Sequence, residues 1–273
     1  MKITDHKLSE GITLTFRVPE GNMKHPLIIL CHGFCGIRNV LLPCFANAFT
    51  EAGFATITFD YRGFGESEGE RGRLVPAMQI EDIISVINWA EKQACIDNQR
   101  IGLWGTSLGG CHVFSAAAQD QRVKCIVSQL AFADGDALIT GEMNELERAS
   151  FLSTLNKMAE KKKNTGKEMF VGVTRVLNDD ESKVFFEKVK AQHPEMDIKY
   201  LSLLSWKRCN INRPRAQPES SVQYWLLLLA RIVLIHRNRE EHYMMLLLLV
   251  LKNYMRKLTH AIMIFMRAHF LNV

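Results

Sequence analysis

Short apolar runs alternate with amphipathic stretches over the first half of the chain. Ile12–Val18 reads as an early strand. Pro26–His32 (PLIILCH) is a continuous apolar run stopped by Gly33, the pattern of a strand buried on both faces. Phe54–Asp60 (FATITFD) repeats it and runs into a turn punctuated by Gly63, Gly65, Gly69 and Gly72. Ile101–Trp104 and Val123–Ser128 supply two more strands. Between them, Ile80, Ile83, Ile84, Ile87 and Ala90 recur at helical spacing and predict one apolar helix face. Strand–helix alternation of this kind predicts an α/β fold, a mostly parallel sheet with helices on both faces. Residues 142–192 are charged and helical in pattern, which suits a lid inserted after the strand at 123–128.

One motif stands out: Gly105-Thr106-Ser107-Leu108-Gly109, followed by Gly110. It sits between an apolar strand and the helix-prone run Cys111–Ala118, the context a G-x-S-x-G bend requires. A strand-to-helix turn this sharp brings backbones close, so side chains at Gly105 or Gly109 would clash. The bend lifts the Ser107 hydroxyl above the sheet edge and aims the Leu108 N–H at a developing oxyanion. Three flanking features occur in a matching order. His32-Gly33-Phe34 ends the strand at 26–32, which suits Phe34 N–H as a second oxyanion donor. Asp60-Tyr61-Arg62-Gly63-Phe64-Gly65-Glu66-Ser67 follows the next strand, and the bend then follows in turn.

With these motifs the chain resembles the α/β-hydrolase superfamily over about residues 10–198, nearest its dienelactone-hydrolase and serine-aminopeptidase-like serine hydrolases. The resemblance implies Ser107 as the nucleophile, with Phe34 and Leu108 N–H groups as the oxyanion hole and Gly33, Gly105 and Gly109 shaping the loops. It implies an acid after the strand that follows the lid, then a histidine near the C-terminus. The chemistry implied is acyl transfer from a small-molecule ester or thioester through an acyl-enzyme, with water as final acceptor and no cofactor. The domain plan is then a hydrolase core over 1–135, a helical lid over 136–198, and the rest.

Composition changes the picture of that remainder. Residues 199–273 hold 12 Lys+Arg against 3 acids, while residues 1–198 are net −4, so the chain's +5 charge belongs to the tail. All 17 glycines lie at or before Gly172, and Asp197 is the last aspartate. Ordinary usage puts roughly seven glycines in the last hundred residues, and tight turns and helix ends draw on them. The order Ser, acid, His therefore finds no aspartate after the lid. His236, His242, His260 and His269 lie in no recognisable loop motif. Neither the triad acid nor the triad histidine can be assigned.

A shifted reading frame accounts for this. One synonymous coding of Ala261–Val273, read from its third base, gives His-Tyr-Asp-Ile-Tyr-Glu-Gly-Ala-Leu-Phe-Glu-Arg, which matches the superfamily's histidine loop. One coding of Ala230–His242, in the same offset, gives Lys-Asp-Ser-Val-Asn-Pro-Pro-Glu-Gln-Gly-Arg-Thr, which resembles its acid loop. Two hits in one offset and in the right order point to a frameshift near Ile198–Tyr200, with an out-of-frame tail replacing the last core strands. The expected product is a serine hydrolase impaired in catalysis; the rival reading is an inactive or non-enzymatic protein with a membrane-surface tail.

Other candidates have plainer readings. His32 fits a loop-ordering role better than a base, because it precedes the nucleophile; His112 fits a packed helix position. Asp60 reads as a turn residue. Asp134 and Asp136 follow the strand at 123–128, a place from which a substitute acid is possible. Cys31, Cys35, Cys44, Cys95, Cys111, Cys125 and Cys209 show no C-x-x-C pairing, which favours reduced thiols in a cytoplasmic protein over a metal site. The glycines after Asp60 miss G-x-G-x-x-G. Lys161–Lys163 reads as a solvated helix face, and no basic patch with interleaved aromatics points to nucleic acid. The greasy tail runs reach about ten residues, below the roughly 20 that span a bilayer. The polar start MKITDHKLSEG lacks the apolar stretch of a signal peptide.

Overall fold

The computed structural model describes residues 1–129, 131, 140–141, 143–175, 180–201, 223–227 and 232–236. Its strands are β1 (Lys2–Lys7), β2 (Thr13–Val18), β3 (His25–Cys31), β4 (Ala55–Phe59), β5 (Ile96–Thr106), β6 (Val123–Gln129), β7 (Phe170–Gly172), β8 (Lys199–Leu201), β9 (Gln223–Leu227) and β10 (Ile232–His236). Its helices are α1 (Leu42–Glu51), α2 (Pro76–Ala90), α3 (Leu108–Gln119), α4 (Glu145–Thr165) and α5 (Asp180–Gln192).

The main sheet runs β1-β2-β4-β3-β5-β6-β10-β9. The central strands β4, β3, β5 and β6 are parallel, and β2 and β1 extend them antiparallel. Apart from His25 at the start of β3, strands β3 and β4 are apolar or threonine because both of their faces are covered. Side-chain alternation divides their contacts. Leu27, Ile29 and Cys31 join Ile83, Val86 and Ile87 of α2 and Val113 of α3 in one core. Ile28 and Leu30 join Leu42, Ala46 and Phe49 of α1 in another. Helices therefore lie on both faces; of the stripe at 80–90, Ile83, Ile87 and Ala90 are buried in α2, and Ile80 and Ile84 pack partly buried against the same core. Pro76 opens that helix, where its missing N–H costs nothing.

The hydrophobic pattern marks no strand at β1, which is mostly polar: Lys2, Asp5 and Lys7 mark it as a charged sheet edge that discourages further pairing. Further along the chain, α4 is opened by a capping box between Asn144 and Glu147 and ends on Gly166 in the left-handed conformation. Leu155 is its one buried residue, so α4 contributes little to the core.

The last two strands depart from a parallel wind. β10 pairs antiparallel with β6 and antiparallel with β9. A link as short as residues 228–231 joins neighbouring strands only as a hairpin, because a parallel return needs a crossover of a dozen residues or more.

Candidate functional site at the sheet's carboxyl edge

Register brings three loops to one edge. Cys31 pairs with Gly105, and Thr106 pairs with Gln129, so β3, β5 and β6 end level with one another. Open α/β sheets bind ligands outside the carboxyl ends of their strands. The loop 32–41 after β3 and the bend at Ser107 share this edge.

Ser107 has φ 53° and ψ −120°, a conformation few L-residues adopt. It is half-buried. Its N–H donates to the Gln129 carbonyl at 2.8 Å, which ties the bend to the end of β6. Its carbonyl accepts from Cys111 N–H at 3.2 Å and so starts α3. Leu108 is the first helical residue, so its N–H has no partner within the helix and points out of the N-terminus.

The glycines are required by contact. A Cβ on Gly109 would lie 2.5 Å from the His32 carbonyl oxygen, and one on Gly105 would lie 2.8 Å from Gly110 N. A Cβ on Gly33 would lie 3.1 Å from Ser107 Cβ and 3.6 Å from its Oγ. The structure thus sets the Gly33–Phe34 loop directly beside Ser107. The Phe34 ring packs edge-on against Tyr200 of β8, centroids 4.7 Å apart. This contact joins the loop to β8, which follows α4 and α5 in the chain, and nothing in the sequence marked Tyr200.

The two histidines near the bend are buried beneath it. His112 Nε2–H donates to Gln79 Oε1 at 2.8 Å, and burial pushes its pKa down to about 3. His32 Nδ1–H donates to the Gly33 carbonyl at 3.2 Å, and burial lowers its pKa too. Its ring stacks edge-on against Tyr61. Both are neutral packing groups, and neither shares a hydrogen bond with Ser107 Oγ. Asp60 is fully buried and engaged by Arg38.

His236 is on the wrong end of the sheet. It pairs with Cys125, whereas Ile232 pairs with Gln129 beside the bend. Four residues of strand place it roughly 13 Å from the edge that carries Ser107. Asp134, Asp136, His242, His260, His269 and Cys209 lie outside the described residues. Among the described residues, six cysteines form no disulfide, no cluster of three metal-ligating side chains occurs, and no helix is long and apolar enough to cross a membrane.

A family model for the alpha/beta hydrolase fold matches residues 26–225. Over 199 residues the chain is 94% identical to an uncharacterized 31.7 kDa protein of the traX-finO intergenic region of Escherichia coli, covering 73% of this chain and 70% of that one. It is 36% identical over 120 residues to the thiohydrolase aneE of Aspergillus aculeatus, covering 44% of this chain and 38% of that enzyme. Among solved structures, the hypothetical protein PA2218 of Pseudomonas aeruginosa shares the fold at a TM-score of 0.60 and 20% identity, over 78% of this chain and 70% of that one.

Proposed function

The chain belongs to the alpha/beta hydrolase fold family, and from that membership we propose that it descends from a serine hydrolase of carboxylic esters or thioesters, with Ser107 as nucleophile. The observation that carries this is the strained, half-exposed Ser107 at the sheet's carboxyl edge with the Gly33–Phe34 loop against it. Ser107 Oγ attacks the acyl carbonyl carbon. The carbonyl oxygen gathers negative charge between Phe34 N–H and Leu108 N–H. The tetrahedral intermediate collapses by expelling the alcohol or thiol, and water then releases the acid from the acyl-enzyme. The thiohydrolase relative supports a thioester or ester as the scissile group.

The attack requires a base to take the Ser107 proton, and the described residues bring no histidine to it. The reading that this chain is an impaired member rests on its sequence, which has no aspartate after Asp197 and sets His236, His242, His260 and His269 in no recognisable loop motif. With the base and acid gone, a residual rate about 10³–10⁴-fold over water remains from binding and the oxyanion hole. A shifted frame near codon 199 supplies the cause. Three observations support it: the charge and glycine break at that point, a 94% identity that covers only 199 residues although both chains are longer, and a β10 that runs antiparallel to β6.

Two experiments test this. A fluorophosphonate probe should label the chain slowly and Ser107→Ala not at all; equal labelling of both removes Ser107 from the mechanism. Insertion of one nucleotide near codon 199 should yield a chain that hydrolyses p-nitrophenyl esters or acyl thioesters at least 10³-fold faster. A repaired chain no faster than its parent argues against the frameshift.

A further inference from the structure

Asp60 and Arg38 form a buried knot beside the site with no part yet in the chemistry. Asp60 is fully buried at the end of β4, and Arg38 is 4% exposed in the loop after β3. The Asp60 carboxylate accepts from Arg38 N–H at 2.6 Å, from Glu66 N–H at 3.0 Å, and from the Arg38 guanidinium. Arg38 also donates from Nε to Thr15 Oγ1 at 3.2 Å and from Nη2 to Glu66 Oε2 at 2.7 Å. Gly65 takes φ +49° against this carboxylate, where a Cβ would lie 2.5 Å from Asp60 Oδ1. One carboxylate and one guanidinium thus fasten β2, β4, the turn at 60–72 and the loop 32–41 to one another.

That loop needs fastening. Cys35 and Leu41 hold φ 53° and 64°, both in the left-handed region without being glycine. The turn bonds Gly36 N–H to Gly33 O and Val40 N–H to Ile37 O are internal to the loop and do not anchor it to the sheet. Arg38 does, four residues beyond Phe34. Its fork of donors, held on three acceptors at once, resists rotation as a point charge cannot.

We propose that the Arg38–Asp60 pair is a positioning clamp, which holds the loop 32–41 so that the Phe34 N–H stays at the place where the acyl oxyanion forms. The inference rests on the hydrolase reading for its purpose. Its physical content, a loop held by a buried ion pair, is measured separately. Neither residue touches substrate; both act through the loop.

Hydrogen exchange by mass spectrometry on the full chain tests the clamp, alongside the rate of fluorophosphonate labelling at Ser107. Asp60→Asn keeps the shape and removes the charge. It should raise exchange in peptides spanning 33–41 about tenfold while leaving 25–31 and 96–106 unchanged. It should also slow labelling by about 10²-fold, the order seen when one oxyanion donor is lost. Unchanged exchange in the loop, or an even rise over β2 to β5, overturns the clamp. Arg38→Lys is the second variant, for use if Asp60→Asn does not fold. It keeps the buried positive charge but loses the fork, and should raise loop exchange by a smaller factor; parental exchange there also overturns the proposal. Absence of labelling in the unaltered chain removes the hydrolase reading alone, and the exchange pattern still decides whether the pair holds the loop.

Discussion

Replacement of Gly109 by alanine puts the bend to a quantitative test. Gly109 is the second residue of α3, and an added Cβ would lie 2.5 Å from the His32 carbonyl oxygen and 2.8 Å from the Cys31 carbonyl carbon. Ordinary contact begins at 3.4 Å and the Cys31 carbonyl oxygen is nearer still, so α3 must retreat by about 1 Å. Both opposing atoms are backbone at the end of β3, which is hydrogen-bonded to β4 and β5 on its two sides. Neither can swing aside as a side chain would. Overpacking of a close-packed interior costs about 1–3 kcal/mol, and rigid opponents place this case near 3. At roughly 2–4 °C per kcal/mol for a domain of this size, the melting point should fall by about 6–12 °C. Urea unfolding is the assay, read as a shift of midpoint at constant slope. Gly172→Ala is the control, because nothing lies within 4 Å of a Cβ there; it should stay within about 0.5 kcal/mol. The same retreat moves the Leu108 N–H, so fluorophosphonate labelling should slow about 10²-fold. A Gly109→Ala protein as stable as the Gly172→Ala control would refute the claim that backbone proximity dictates glycine at this bend.

Ser107→Gly should stabilise the fold by about 1 kcal/mol, because glycine adopts φ 53°, ψ −120° without the cost of a non-glycine residue. Ser107→Ala keeps the strain, so equal urea midpoints for the two variants would count against it. Stability should also fall in acid through His112. Its folded pKa is lowered from 6.5 to about 3, so the unfolded chain takes up a proton first and stability is lost as pH drops through 6.5 toward 3. By pH 5 the loss from His112 is about 2 kcal/mol relative to pH 8. His112→Gln should flatten that dependence, and an identical acid slope in the variant would show that the histidine is not its source.

The parts of the fold that were legible in the sequence are those where one residue type has one physical use. Runs such as PLIILC and FATITF are legible because a strand covered on both faces has no polar position to blur its ends. The bend was legible because three glycines around a serine have no other economical explanation, and each meets backbone or Ser107 itself. The isoleucine stripe announced α2 for the same reason. By contrast, β1 is polar because it is an edge, and polarity alone does not distinguish an edge from a loop. Arg38, Thr15 and Glu66 were not legible as a group. Their association is made by strand order, with β2, β4 and the β3 loop meeting in space, and no local spacing encodes that. Tyr200 was missed similarly: its partner Phe34 lies far away in sequence. The direction of β10 was not legible at all, since an apolar run of four says nothing of which way it points.

The contacts that shape the bend come from residues 31–131: the carbonyls of Cys31 and His32, the glycines 105, 109 and 110, the carbonyl of Gln129 and Ala131 Cβ. A ribosome has therefore delivered the whole of that corner before it reads half of the message. On the proposed frameshift, an error written later in the gene would leave that corner untouched, and the proposed chemistry would be held in storage one nucleotide from recovery.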